Sequence, residues 1–306
     1  MSDIAQAEAI LRTACGDRLR TAFPMAALTT FRIGGPAALY LEPESEADLS
    51  AASQAIADAG LAYVVIGKGS NVLVSDRGFD GLVLRLGRGF RWAARDGDRI
   101  TAGGSMPLPA LAGVALRHAL AGLAFGVAIP ASLGGAVKMN AGAHGGQMSD
   151  VVAEVEVFRL LDGGVERIDT ASMGFAYRRS ALAADSVVIG ATAQLRPGDP
   201  AAIRASMDEA REWRRRTQPL AEPNCGSVFR NPDHDHAARL IEQAGLKGTR
   251  VGGAEVSRKH ANFIVAGEGA RAEDVSALIE LVEREVASRT GVTLEPEVQM
   301  IGGFPR

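Results

Sequence analysis

The 306-residue chain is poor in several things, and each shortage excludes a class of protein. Its two cysteines, Cys15 and Cys225, form no close pair, so neither a disulfide framework nor a thiolate zinc site is expected, which fits a reducing compartment. It lacks a basic excess: a net charge of −3 argues against a general nucleic-acid or membrane-surface binder, so any anion must be caught by a local site. Its most apolar stretch, Gly122 to Val137, is too short and too broken by Gly and Pro to cross a bilayer. Lysine is scarce, with only Lys68, Lys138, Lys247 and Lys259 among 33 basic residues. Arginine is thus the default cation, and the lysines are either chance survivors or places where a compact ammonium is needed instead of a planar fork.

What remains, 47% hydrophobic and 23% charged residues, describes an ordinary globular chain long enough for two domains. Met1 to Arg20 mixes acids and arginines with alanines and leucines, which suits an amphipathic helix and not a signal peptide, so a cytoplasmic protein is expected. The most informative stretch is Gly67-Lys68-Gly69-Ser70-Asn71, set between the apolar runs Val64 to Ile66 and Val72 to Val74. Two glycines permit positive φ and close backbone approach, and Ser70 and Asn71 add hydrogen bonds, as in a phosphate cradle. The loop has neither the third glycine of G-x-G-x-x-G nor the GK[ST] ending of a P-loop, and a plain hairpin turn is the competing reading.

Along the chain, Thr29 to Pro36 leads into a strand at Ala37 to Leu41, and a helix is expected from Ser45 to Ala59 with Gly60 as its stop. Strands at Val83 to Leu86 and Ile100 to Ala102 precede a helix with Ser105 as N-cap and Pro107 as an early helical residue. A second glycine-rich cluster runs from Ile129 to Gly146, where Ser132 caps a short helix bearing Gly134 and Gly135. Glycine costs roughly 1 kcal/mol relative to alanine in a helix, so either a flat ligand lies against it or the helix packs closely on a sheet. A hairpin is expected at Val155 to Leu161 and Val165 to Ile168, then a strand from Val187 to Leu195, and Pro197-Gly198-Asp199-Pro200 reads as a linker. Beyond it lie helices at Ala201 to Arg216, Ala237 to Ala244 and Arg271 to Arg289, with strands at Ala261 to Ala266 and Val292 to Ile301. His234 and His236 flank Asp235 in a chelate-like spacing, but a solvated helix start is favoured and no metal is expected.

Six segments in this order resemble the UDP-N-acetylenolpyruvoylglucosamine reductase family: Thr30-Phe31-Arg32-Ile33-Gly34-Gly35, Gly67 to Asn71, Ile129 to Gly145, Tyr177-Arg178-Arg179-Ser180, Cys225 to Pro232, and Leu294 to Val298. One departure is Ala131, where the family more often has glycine after the proline. The short spacing after Arg178 is similar to the branch that lacks an extra substrate-clamping insertion. The resemblance implies an α+β chain: an FAD-binding domain of the vanillyl-alcohol-oxidase type, made of two α/β subdomains, followed by a C-terminal α+β substrate domain. The corresponding boundaries are a helical segment over 1–28, the FAD domain over 29–197 and the substrate domain over 198–306.

It further implies noncovalent FAD, NADPH as co-substrate, and a UDP-sugar whose enolpyruvyl group is reduced in peptidoglycan synthesis, by a monomer that uses neither nucleic acid nor membrane. FAD would be lined by Arg32, Gly67, Lys68, Gly69, Ser70, Asn71, Pro130, Ser132, Gly134, Gly135, Asn140, Gly142 and His144. Tyr177, Asn231, Lys259 and Asn262 would contact substrate. Arg178, Ser227 and Glu297 match the catalytic trio. A bidentate Arg178 suits a carboxylate beside developing negative charge, a protonated Glu297 would share that task, and Ser227 would protonate the adjacent carbon. Taken singly, each is also an ordinary residue type for a surface, a turn or a strand edge. Another flavin oxidase of the same fold and a non-catalytic nucleotide-binding module are the alternatives.

Overall fold

Residues 3–304 are described by the structure, a computed structural model; Met1 and Ser2 of the expected N-terminal helix lie outside them. The chain falls into two compact units, one made of Met1–Thr21, Leu39–Lys68 and Gly81–Glu212, the other of Ala22–Ala38, Gly69–Asp80 and Trp213–Arg306.

In the first unit the N-terminal helix is shorter than expected, Ile4–Cys15, and Leu19–Pro24 is a strand that the sequence reading did not foresee. Helix Glu46–Ala59 begins where the Ser45 hydroxyl accepts the Asp48 N–H and stops at Gly60 in the left-handed region, as its sequence signals predict. These helices cover a sheet ordered Leu19–Pro24, Pro36–Leu41, Phe79–Leu84, Tyr63–Val65. A five-stranded antiparallel sheet follows, ordered Gly164–Asp169, Val152–Arg159, Ser186–Gln194, Arg99–Gly103, Ala93–Asp96, and it contains the expected hairpin. Leu108, Leu111 and Ala115 of helix Leu108–Arg117 and Leu133, Ala136 and Val137 of helix Leu133–Lys138 bury their apolar faces with Val155, Val157 and Val188 of this sheet.

Ser105 is not the cap that its position suggested. Pro107 is the N-cap, since it lacks an N–H and holds φ at −63°, while the Ser105 hydroxyl donates to the Gly87 carbonyl at 2.7 Å. The strand expected at Val83 to Leu86 is Phe79–Leu84, which leaves Arg85 and Leu86 in the loop beyond it.

The second unit packs helix Ala272–Thr290 on a three-stranded antiparallel sheet, Arg250–Val251, Ala254–Val256 and Ile264–Ala266, through Val275, Leu278, Ile279, Val282 and Val286. Strand Val72–Val74 pairs in parallel with Gln299–Ile301, to which the longer strand expected from Val292 is reduced. The Asp76 carboxylate accepts the Ala272 and Glu273 N–H groups, both at 3.0 Å, and so caps the helix from a distant part of the sequence. Asp76→Ala should therefore lower stability by about 1–2 kcal/mol, read as a lower urea midpoint at unchanged slope. An unchanged midpoint would show that this cap contributes nothing.

Candidate active site

The first unit contains an open cleft of about 190 Å³. Its wall is built from Ile66, Gly67 and Lys68 at the end of strand Tyr63–Val65, Arg85 to Arg88 after strand Phe79–Leu84, Ser132 to Lys138, and the start of strand Ser186–Gln194. Strand Tyr63–Val65 pairs in parallel with Phe79–Leu84, and Val72–Val74 pairs with Gln299–Ile301, so the glycine loop joining them is not a hairpin turn. Gly67 and Ser132 meet so closely that a Cβ on Gly67 would collide with the Ser132 hydroxyl, which itself accepts the Gly135 N–H.

The two helical glycines have different causes. A Cβ on Gly134 would lie 3.0 Å from the Val188 carbonyl, so close helix-to-sheet packing accounts for it. A Cβ on Gly135 would touch only Ser132 Oγ, at 3.4 Å, and Gly135 lines the cleft; here the missing side chain leaves room for something else.

Charge in the cleft is unbalanced. Lys68, Arg85, Arg88, Arg91 and Lys138 line it with one carboxylate, Glu42. Burial, and then the fields of Arg85 and Arg91, push the Lys68 ammonium below the usual lysine pKa, the mark of a cation short of an anion. The Ser186 hydroxyl, in a residue lining this cleft, is buried without a hydrogen-bond partner. Sequence reasoning missed Arg85, Arg88, Arg91 and Ser186; the three arginines at every third position around Gly87 and Gly89 were the available signal.

The other expected site residues lie outside this lining. Asn140 is buried; its amide nitrogen donates to the Ala176 carbonyl at 3.1 Å and its oxygen accepts the Ser149 N–H at 2.9 Å. The Gly142 carbonyl accepts Arg178 Nη1 at 3.2 Å. Both therefore hold the turn that carries Arg178, whose guanidinium sits 5.1 Å from the centre of the half-exposed Tyr177 ring. Pro130 and His144 are exposed. Arg32, Asn140, His144 and Arg178 all have φ between 40° and 59°, a region that side chains disfavour and that clusters at functional sites.

In the second unit, Gly69 has φ 65°, and a Cβ there would strike the Leu28 carbonyl; its own carbonyl accepts the Thr30 N–H at 3.0 Å. Ser70 is half-buried and Arg32 exposed. The Asn71 amide donates to the Glu297 carbonyl at 3.1 Å. The Glu297 N–H donates to the Val228 carbonyl at 2.7 Å, which brings the segment of Glu297 beside that of Ser227. Ahead of Ser227, Asn224 Oδ1 accepts the Gly226 N–H at 2.9 Å. Behind it, both ends of the buried Asn262 amide bond the Phe229 backbone, at 2.9 and 2.8 Å. Asn262, expected to touch substrate, thus braces the Ser227 loop. Asn231 accepts the Ala237 N–H at 3.1 Å and so holds a helix start, and Lys259 Nζ donates to the Arg215 carbonyl at 2.6 Å. Burial raises the Cys225 pKa strongly, so this thiol stays protonated. Asp235 is bonded by Arg239 from the next helical turn, which accounts for the carboxylate between His234 and His236.

Comparison with known proteins locates this arrangement. Residues 37–169 match the family model of an FAD binding domain, and 218–301 match that of the UDP-N-acetylenolpyruvoylglucosamine reductase C-terminal domain. The chain is 47% identical over 281 residues to the UDP-N-acetylenolpyruvoylglucosamine reductase of Heliobacterium modesticaldum, covering 91% of this chain and 89% of the relative. It is 47% identical to reductase 2 of Symbiobacterium thermophilum, covering 94% of each. The crystal structure of the Thermus caldophilus reductase superposes with TM-score 0.82 at 36% identity, over 93% of this chain and all of that one. The pollen protein Phl p 4, in a variant described as a glucose oxidase, superposes at TM-score 0.52 with 15% identity, over 73% of this chain and 52% of that one, a likeness of fold alone. The expected fold class, an FAD-binding portion followed by the reductase's C-terminal portion, is borne out.

The cleft fits FAD. Its surplus cations suit a diphosphate, and Gly135 leaves space against its wall. Gly135→Val should weaken FAD binding by roughly ten-fold or more while changing apoprotein stability by under about 1 kcal/mol, because its Cβ meets only Ser132 Oγ, at 3.4 Å, beside the cleft. Gly134→Val should instead destabilise the apoprotein. Equal effects of the two on FAD affinity would contradict this division. Affinity should also fall as pH rises through the lowered Lys68 pKa, since only the ammonium attracts the diphosphate; Lys68→Met should flatten that part of the FAD-binding profile.

Proposed function

This chain belongs to the UDP-N-acetylenolpyruvoylglucosamine reductase family, and on that premise we propose that it reduces the enolpyruvyl group of its UDP-sugar with NADPH, giving UDP-N-acetylmuramate for peptidoglycan. Bound FAD supplies hydride transfer between NADPH and the alkene carbon. Lys68 and the Arg85, Arg88 and Arg91 group hold its diphosphate.

The chain's own work is done around the substrate carboxylate. Arg178 binds that carboxylate and stabilises the negative charge that appears beside it as hydride arrives. Ser227 donates its hydroxyl proton to the carbon next to the carboxylate, and Glu297 hydrogen-bonds the same developing charge. Serine is a weak acid, but the carbanion-like carbon is a strong base, so placement matters more than acidity. The observation that carries this reading is the bracing of Ser227: Asn224 fixes the residue before it, Asn262 fixes Phe229 after it, and the Glu297 N–H holds Val228. Tyr177 is kept as a substrate contact, whereas Asn231, Lys259 and Asn262 are assigned to holding loops. On this reading the enzyme is a cytoplasmic monomer; separately, among the described residues no helix is long and apolar enough to cross a membrane.

The test is Ser227→Ala followed by stopped-flow absorbance. NADPH should bleach the flavin at the parental rate, while reoxidation by enolpyruvyl-UDP-N-acetylglucosamine falls by roughly 10²-fold or more, the scale of a lost general acid. Equal slowing of both half-reactions would remove the proton-donor role.

A further inference from the structure

Arg178 sits in a stretch, Phe175 to Asp185, that contains no helix or strand longer than a single bridge. Its position must come from tethers, and they converge on the end of one helix. Lys138 is the last residue of helix Leu133–Lys138, whose Gly135 lines the cofactor cleft. The Lys138 carbonyl accepts the Ser180 hydroxyl at 2.8 Å. Its ammonium donates to the carbonyls of Ala183, Ala184 and Ser186, at 3.3, 3.2 and 3.5 Å. Asn140 and Gly142, just beyond the helix, hold Ala176 and the Arg178 side chain.

We infer that Lys138 is a positioning residue for Arg178: it fastens the downstream side of the Arg178 turn to the helix that walls the cofactor cleft. The inference rests on the proposed role of Arg178. A small three-donor ammonium serves three converging carbonyls where the planar, longer guanidinium would not, which explains a lysine here in a chain that otherwise uses arginine. The Ala183 carbonyl also accepts the Ser186 N–H at 3.1 Å, so removing the ammonium takes away the tie between this turn and the helix end while that local bond stays; the turn loosens and Arg178 loses its fixed direction.

Four variants test this: Lys138→Met, Ser180→Ala, Arg178→Ala, and Arg178→Ala combined with Lys138→Met. Each is reduced with NADPH, reoxidised with enolpyruvyl-UDP-N-acetylglucosamine, and measured by amide hydrogen exchange over residues 173–186. Lys138→Met, which also removes a cation from the cleft wall, should speed exchange in that segment with and without FAD, and should slow reoxidation roughly ten-fold more than it slows reduction by NADPH, the scale of lost bonds to a charged donor. Ser180→Ala should act in the same direction but more weakly, and it keeps the test available if Lys138→Met folds poorly. In the Arg178→Ala background, Lys138→Met should slow reoxidation no further, because its effect passes through Arg178. Normal reoxidation in Lys138→Met, or the same slowing with and without Arg178, overturns the positioning role alone. Normal reoxidation in Arg178→Ala overturns the catalytic role of Arg178 and this inference with it.

Discussion

Positive charge without a counter-charge governs the first unit. Lys68, Arg85, Arg88, Arg91 and Lys138 share one cleft with Glu42 as its single lining carboxylate, and burial, ahead of the fields of Arg85 and Arg91, holds the Lys68 pKa below the usual lysine value. A surplus of cations of this kind is relieved by an anion, which is why the proposed function places the diphosphate of FAD here. Two close approaches keep the cleft open: Gly67 against Ser132, and Gly134 against Val188. Larger residues at either place would move the wall.

A second theme is the use of asparagine side chains to fix irregular backbone. Asn71 holds the Glu297 carbonyl, Asn140 the Ala176 carbonyl, Asn224 the Gly226 N–H, and Asn262 both polar groups of Phe229. Each bonds backbone within two residues of Arg178, Ser227 or Glu297. A loop has no hydrogen-bond ladder of its own, and an amide with one donor end and one acceptor end can substitute for a piece of one. The groups proposed to be catalytic thus stand on loops braced by side-chain amides.

Helices announced themselves in the sequence where caps and stops were explicit, as at Ser45 and Gly60 or at Ser132. Strands were legible as apolar runs but not in their ends: Pro296 and the Asn262 bracing cut two of them short, and Leu19–Pro24, with one buried residue in six, carried too weak a pattern. The glycine loops pointed to a ligand, yet periodicity had no means of separating Gly134, needed for packing, from Gly135, needed for space. Residue type alone did not reveal the bracing done by Asn71, Asn140 and Asn262. Polar side chains in motif positions read as ligand contacts, and only coordinates reveal that their bonds go to the backbone. The arginines of the cleft were hidden because arginine is this chain's ordinary surface cation.

The central claim is that uncompensated cleft cations select the diphosphate of FAD. The most direct measurement is calorimetric titration of apoprotein with FAD and, separately, with riboflavin, which shares the ring and lacks the diphosphate. FAD should bind far more tightly, with an affinity that falls as salt is raised, while riboflavin binds weakly and with little salt dependence. Riboflavin binding as tightly as FAD would contradict the account.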